Sequence, residues 1–368
     1  MAFIAAFLPV FIYLEVVYSI DRFALISLRR LLHLVLCGLL ASLICFFTFR
    51  LLPLNPLNSL NLSNLSNPFN SSNPFFLPIF EELVKALPLV ALAWRKKIVF
   101  FIDSVISGAA VGAGFCMVET LIYLFGGEPM GVGAALFLGI EGALLHMGCS
   151  AIIAAGLMFA VRIVERRRSR LEVKQKDVWM VLLLLLSAPL LHILHDAPFN
   201  HELSIFNFPV LQLVIVFALM GGLLVWTWHY DSRMIHRWVD RGLDKHLELT
   251  LAIREGRFDE TPAGKYLQGV KDSYTPEVYS DLVSYVKLHI ELSVAAKSRF
   301  MAHESGMDYV VDEERARTLL SQYKEYQELE RRLGATPRMT VAPLLKYYPA
   351  DGKALEDLLE ELELKIKN

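Results

Sequence analysis

The sequence predicts an all-α protein: a polytopic membrane helix bundle of about seven spans followed by a helical, cytoplasmic C-terminal region. Three observations predict it. The 368 residues are 55% hydrophobic and only 20% charged, with a mean hydropathy of +0.44, a composition that belongs in a bilayer. Charge is unevenly shared, with 28 Lys, Arg, Asp and Glu in residues 1–229 against 46 in residues 230–368, so a lipid-embedded body precedes an aqueous one. Basic residues also gather in alternate connections between apolar stretches.

A span needs about 20 mostly apolar residues. Seven stretches qualify, at about 2–19, 31–52, 75–94, 99–125, 131–161, 178–198 and 205–229. The first has no basic residue ahead of it and is too long for a signal-peptide core, so it reads as a retained span. Arg22, Arg29 and Arg30 follow it; Arg95, Lys96 and Lys97 separate spans three and four; and Arg162, Arg166, Arg167, Arg168, Arg170, Lys174 and Lys176 separate five and six. Those connections are expected on the cytoplasmic side. The alternate ones, the Asn/Ser/Pro tract 53–74 and the short turns at 126–130 and 200–204, are nearly free of Lys and Arg and are expected outside. Trp94, Trp179, Trp226 and Trp228 then fall at inner ends of spans, where an amphipathic ring is favoured. The amino terminus is expected outside and the C-terminal region inside. The sequons at Asn61, Asn64 and Asn70 carry no weight in so Asn/Ser-rich a tract.

A net charge of −2 argues against a nucleic-acid partner. Cys37, Cys45, Cys116 and Cys149 lie in apolar stretches without CxxC spacing, which suggests neither disulfides nor a thiolate metal site.

Ionisable residues inside spans are costly and mark functional sites by default. In span three, Lys85 stands four residues from Glu81 and three from Glu82, so it can neutralise one carboxylate on its own helix face and leave the other for further work. Span four carries Glu119, span five Glu141 and His146, and span six His192, His195 and Asp196. Glu81, Glu119 and His192 each lie about six or seven residues inside an outer end, a common depth of roughly 10 Å. His146 looks deeper, about fifteen residues in, which is compatible if the span tilts or begins late. Glu141 and His146, five apart, point to different faces, and Glu141 and Glu15 read as structural. Gly108/Gly112 and Ala110/Gly114 give span four small-xxx-small spacing for close packing.

Two carboxylates and two imidazoles at one depth can hydrolyse an amide in two ways. Glu81 or Glu82 can take a proton from water while His146 or His192 steadies the oxyanion, with no metal. Alternatively His146, His192 and a glutamate such as Glu119 bind Zn2+ as a His2Glu set. The absence of an HExxH helix counts against the second without excluding it.

Glu81-Glu82-x-x-Lys85, Phe115-x-x-x-Glu119, the span-five histidine His146 and His192-x-x-x-Asp196 resemble, in order and spacing, the PrsW family of intramembrane proteases, itself similar to the CAAX prenyl proteases and their bacterial relatives. The resemblance covers about residues 75–200. It implies Glu81 and Glu82 as catalytic carboxylates, His146 and His192 as catalytic or metal-binding, and Glu119 and Asp196 in support. Lys85 and Phe115 complete the motifs, Phe115 reading as packing. His195 offers a second register for the last motif or a supporting contact. The resemblance also implies a bacterial cell membrane and a membrane-anchored protein substrate, such as an anti-sigma factor. The family is described as metal-dependent and as glutamate-dependent, so zinc stays open. A transporter or channel relaying protons, or a catalytically silent scaffold, would use the same buried groups.

Beyond about Tyr230 the chain reads as soluble helices. Thr275-Pro276-Glu277 looks like an N-cap and first turn of a helix to about Lys297. A stripe of Leu319, Leu320, Tyr323, Tyr326, Leu329 and Leu333 stops at Gly334, and an acidic helix follows from about Gly352. The region, 230–368, carries no catalytic motif and is expected to be regulatory or to bind a cytoplasmic partner.

Overall fold

The computed structural model describes residues 1–21, 26–51, 76–95, 97–126, 129–168, 172–196, 208–305, 307, 309–345 and 349–367. Among them there are helices and no strands. The Asn/Ser/Pro tract with its sequons, Arg22, Lys96, Arg170 and the turn at 200–204 lie outside the described residues. The chain divides into two compact units, one made of Met1–Asp21 and Ile26–Asp231, the other extending over Ser232–Asn368.

The first unit contains α1 (Ala2–Ser19), α2 (Leu28–Leu51), α3 (Phe76–Trp94), α4 (Phe101–Gly126), α5 (Val132–Arg168), α6 (Gln175–Asp196) and the first part of α7 (Phe208–Arg254). Six of these seven are long and apolar enough to cross a membrane by themselves. The exception is α3, whose 19 residues include Glu81, Glu82 and Lys85. All three charges are buried against other helices, so α3 depends on the bundle in a way its neighbours do not. Large apolar side chains such as Leu36, Leu183 and Phe217 stand exposed on the outer helices, as lipid-facing surfaces require.

At the centre stands α4, buried on every face from Phe101 to Cys116 and packed mainly on α5 and α2. Its apolar residues surround it completely, the mark of a helix enclosed by others. Lipid gives helices no hydrophobic reason to associate, so close backbone approach must hold them. A Cβ at Gly112 would collide with the His146 carbonyl oxygen of α5, and one at Gly114 with the Val35 carbonyl oxygen of α2. The small-residue spacing in this helix thus sets two interfaces, one of which positions His146.

Two aspartates finish the N-terminal end of α4. Asp231 accepts from the Ile102 backbone N–H at 2.6 Å, where a carboxylate complements the helix N-terminus, and buried Asp103 lies 3.8 Å from Arg30. Pro88 and Pro189 interrupt the backbone ladders of α3 and α6, each within a turn of a buried charged or imidazole side chain, Lys85 and His192.

Several ends differ from the hydropathy reading. Helix α5 is 37 residues, about 55 Å, against a hydrocarbon core of about 30 Å, so its ends overhang and His146 sits deeper from its start than the other site residues. Helix α7 does not stop where hydropathy falls near Tyr230 but runs to Arg254, with no proline between Tyr230 and Pro262 to interrupt it. A polar turn changes what a helix faces without ending it.

The second unit is organised on α9 (Pro276–Glu304), which contacts α10 (Glu313–Leu333), α11 (Ala335–Leu345) and α12 (Pro349–Lys367); the short α8 (Pro262–Gly269) precedes it. The Thr275 side chain caps α9 by accepting from Val278 N, with Pro276 at the first position, and Asp312 caps α10 through Arg315 N at 2.7 Å. Gly334, at φ +65°, ends α10 in a conformation that favours glycine. Leu319, Tyr326, Leu329 and Leu333 are buried, and Leu320 and Tyr323 half-buried, on the stripe the sequence shows.

Enlarging Gly112 tests the packing account. Gly112→Val should lower the thermal midpoint of the detergent-purified protein by the equivalent of about 1–3 kcal/mol. Gly131→Ala, where nothing lies within 4 Å of the added methyl group, should leave it unchanged.

Candidate active site

Four helices build one buried cluster. Helix α3 supplies Glu81, Glu82 and Lys85, α4 supplies Phe115 and Glu119, α5 supplies His146, and α6 supplies His192 and Asp196. Glu81, Glu82, Lys85, His146 and His192 are each at most 2% exposed, so every polar atom must be satisfied within the cluster.

The pairing follows from donor and acceptor chemistry. Lys85 Nζ stands 2.5 Å from Glu82 Oε1, so the lysine selects the carboxylate three residues before it, leaving Glu81 as the one not neutralised along the helix. Lys85 also donates to Nδ1 of His146 at 3.1 Å. An ammonium can only donate, so Nδ1 accepts and the imidazole proton sits on Nε2, from which it is donated to Glu119 Oε2 in a close hydrogen bond. Glu82 Oε1 receives Nδ1–H of His192 at 2.8 Å, which turns the Nε2 lone pair toward Glu81 Oε2, 3.5 Å away. The two imidazoles meet edge to face with centroids 5.1 Å apart.

Phe115 does more than fill space. Its ring lies 5.0 Å from that of His146, and the Lys85 ammonium sits over its face at 4.5 Å, a cation–π contact. Asp196 Oδ2 is 3.8 Å from His192 Nε2. His195 instead meets Glu141 Oε1 at 3.3 Å, so His192 is the histidine of the last motif that faces the cluster, and Glu141 has a partner that sequence spacing alone did not reveal. Glu15 has no part in these contacts. Asp103 and Asp231, buried at the N-terminal end of α4, are not singled out by the sequence, although the first-turn position of Asp103 is a signal for a capping environment.

Glu81, His146 and His192 each offer a donor atom within 4.8 Å of the others, a set able to hold a metal ion. The Glu81–His192 separation of 3.5 Å is close to the roughly 3.3 Å edge of a tetrahedron with bonds of about 2.0–2.1 Å. A ligating histidine ordinarily gives its second N–H to a carboxylate, which is how Glu82 holds His192. Glu82 Oε2 is buried without a hydrogen-bond partner, a cost that a nearby cation would offset. The residues therefore fit a divalent metal. The set contains Glu81 in place of Glu119, the carboxylate the sequence suggests for a metal, and Glu119 contacts His146 from α4 instead.

Comparison with protein-family models gives one match, PrsW family intramembrane metalloprotease, over residues 27–222, just over half of the chain. The chain belongs to the PrsW family. It is thus an integral membrane enzyme, an intramembrane protease, which decides against the transporter and scaffold alternatives. The match begins at the start of α2 and reaches into α7, so it takes in every residue of the cluster and none of the second unit. Comparison with curated proteins and with solved structures finds no match.

The Glu82–Lys85 pair carries a clear energetic expectation. Lys85→Met should destabilise the bundle by about 3–5 kcal/mol, because it leaves a carboxylate buried without its cation. Adding Glu82→Gln, which keeps an acceptor for His192 Nδ1–H, should recover a large part of the loss in detergent unfolding. A double variant no more stable than the single one would show that the pair is not what the cluster rests on.

Proposed function

We propose that the chain hydrolyses a peptide bond of a membrane-anchored protein near the outer face of a bacterial cell membrane, using Glu81, His146 and His192 to hold Zn2+ and Glu119 as general base. The observation that carries this reading is the convergence of those three donors from three helices, with His192 oriented by Glu82.

The metal, when bound, supplies Lewis acidity toward water and the scissile carbonyl. The chain's own groups do the rest. Glu82 fixes the tautomer of His192 so that Nε2 is available, and Lys85 balances the charge of Glu82; for His146 to ligate through Nε2, its imidazole proton would move to Nδ1 and the Lys85 ammonium would keep to Glu82 and the Phe115 face. Glu119, 14% exposed where its neighbours are closed, links the cluster to the outside and takes a proton from the attacking water at Oε2. Returned to the departing amine, that proton completes the hydrolysis. Phe115 holds Lys85 and His146 in register and keeps water from the Glu82 side.

Depth supports an outer cleavage position. Glu81 is five residues from the start of α3, His192 four from the end of α6 and Glu119 seven from the end of α4, or roughly 6–10 Å along each helix. The basic connections lie at the other ends of those helices, which the positive-inside rule assigns to the cytoplasm, with the amino terminus outside and residues 230–368 inside. A single-span regulator such as an anti-sigma factor would present its chain at this level. The second unit would then be free to bind a cytoplasmic partner.

Mass spectrometry of newly formed chain termini tests the proposal in cells carrying wild type, Glu81→Gln or Glu119→Gln. One or a few single-span proteins should accumulate uncut in both variants, and wild-type termini should map near the outer interface. Matching profiles with folded, expressed variants would contradict it.

A further inference from the structure

A second polar site lies at the opposite end of the membrane unit. A cavity of about 290 Å³, near the lower limit of small-molecule sites at ~300 Å³, opens where the start of α4, the end of α5, the start of α6 and α7 meet. Phe101 is 18 residues from Glu119 along α4, and Arg162 is 16 from His146 along α5, or about 24–27 Å from the catalytic cluster. Across a hydrocarbon core of about 30 Å, that is the headgroup level of the other leaflet.

The wall carries four cations, Arg162, Arg166, Lys174 and Lys176, against the single carboxylate of Asp177. Glu165 and Glu172, the other acids of this stretch, do not line it. Arg162 is fixed in place: its guanidinium stacks 4.2 Å from the Phe101 ring centroid and 5.0 Å from that of Tyr230, donates to the Tyr230 hydroxyl at 2.8 Å and stands 3.9 Å from Asp231. Arg166 is bonded to Asp177 at 2.7 Å. Lys174 and Lys176 are exposed and form no ion pair among the described residues. Trp226, edge-on to Phe101 and stacked with Tyr230, closes the apolar floor.

We propose that this pocket binds the phosphate of an anionic phospholipid headgroup. A held arginine offers planar, charge-assisted donors to a phosphate, and the two exposed lysines add charge without needing to break an existing pair. The aromatic floor suits the glycerol and upper acyl region that accompany such a headgroup. Basic pockets between membrane helices at this level have the chemistry to take anionic lipid rather than a neutral one. Because Arg166 on α5 and Asp177 on α6 face each other across the opening, a bound headgroup would tie together the two helices that carry His146 and His192.

The test uses delipidated full-length protein in neutral detergent, with lipid retention measured by native mass spectrometry. Phosphatidylglycerol should be retained over phosphatidylcholine, and Lys174→Gln and Lys176→Gln should each weaken retention about fivefold. The pair Lys265→Gln and Lys271→Gln, on the second unit, should change nothing. Equal retention of the two lipids, or retention unaffected by the Lys174 and Lys176 changes, would overturn the proposal. So would full displacement of phosphatidylglycerol by millimolar inorganic phosphate, which would identify a soluble anion as the ligand.

Discussion

The buried pair between Glu82 and Lys85 is the interaction on which the rest of the catalytic unit depends. A carboxylate and an ammonium inside a membrane bundle are tolerable only when they are paired. These two pair at 2.5 Å through Glu82 Oε1, and each also bonds a histidine, Lys85 at Nδ1 of His146 and Glu82 at Nδ1 of His192. One ion pair on one helix therefore fixes the tautomer and aim of imidazoles that arrive on two other helices. Glu81, the neighbour that the lysine does not neutralise, is left facing His192 Nε2.

Close helix packing makes this reach possible. Lys85 can touch an imidazole on α5 only because α4 has almost no side chains where α5 crosses it, at Gly108 and Gly112. The same helix brings Glu119 to His146 and Phe115 against both His146 and Lys85. Its position at the centre of the unit, enclosed on all faces, means that a displacement of α4 moves three parts of the cluster together. The N-terminal end of α4 is anchored separately by Asp231 on the Ile102 N–H and by the aromatic packing around Arg162. The fold thus holds the glutamate–histidine cluster at one end of the bundle and a cationic pocket at the other, joined by the same helices.

Much of this was legible in the sequence, for reasons that can be named. Charges are so costly in lipid that Glu81, Glu82, Lys85, Glu119, His146 and His192 stand out without any alignment, and helical spacing already pairs Lys85 with one of its two glutamates. Which one it chooses was not legible, since spacings of three and four are both favourable. The choice between His192 and His195 was equally hidden, because it depends on how α6 is rotated against α3 and α5. Glu141 illustrates the same limit: its partner, His195, is 54 residues away on another helix. Hydropathy located the spans but not their ends, as α5 and α7 continue helical beyond their apolar stretches. Asp103 and Asp231 escaped notice because an aspartate near a span's end looks like an ordinary interfacial charge until its backbone partner is known.

Metal stoichiometry combined with X-ray absorption on the purified protein tests the central claim most directly. The account predicts about one zinc per chain, with two imidazole nitrogens and a carboxylate oxygen around it. That zinc should be retained in Glu119→Gln and lost in Glu81→Gln and His192→Ala. Full peptidase activity in chelator-treated, metal-free protein would contradict it, as would zinc that survives Glu81→Gln but disappears in Glu119→Gln.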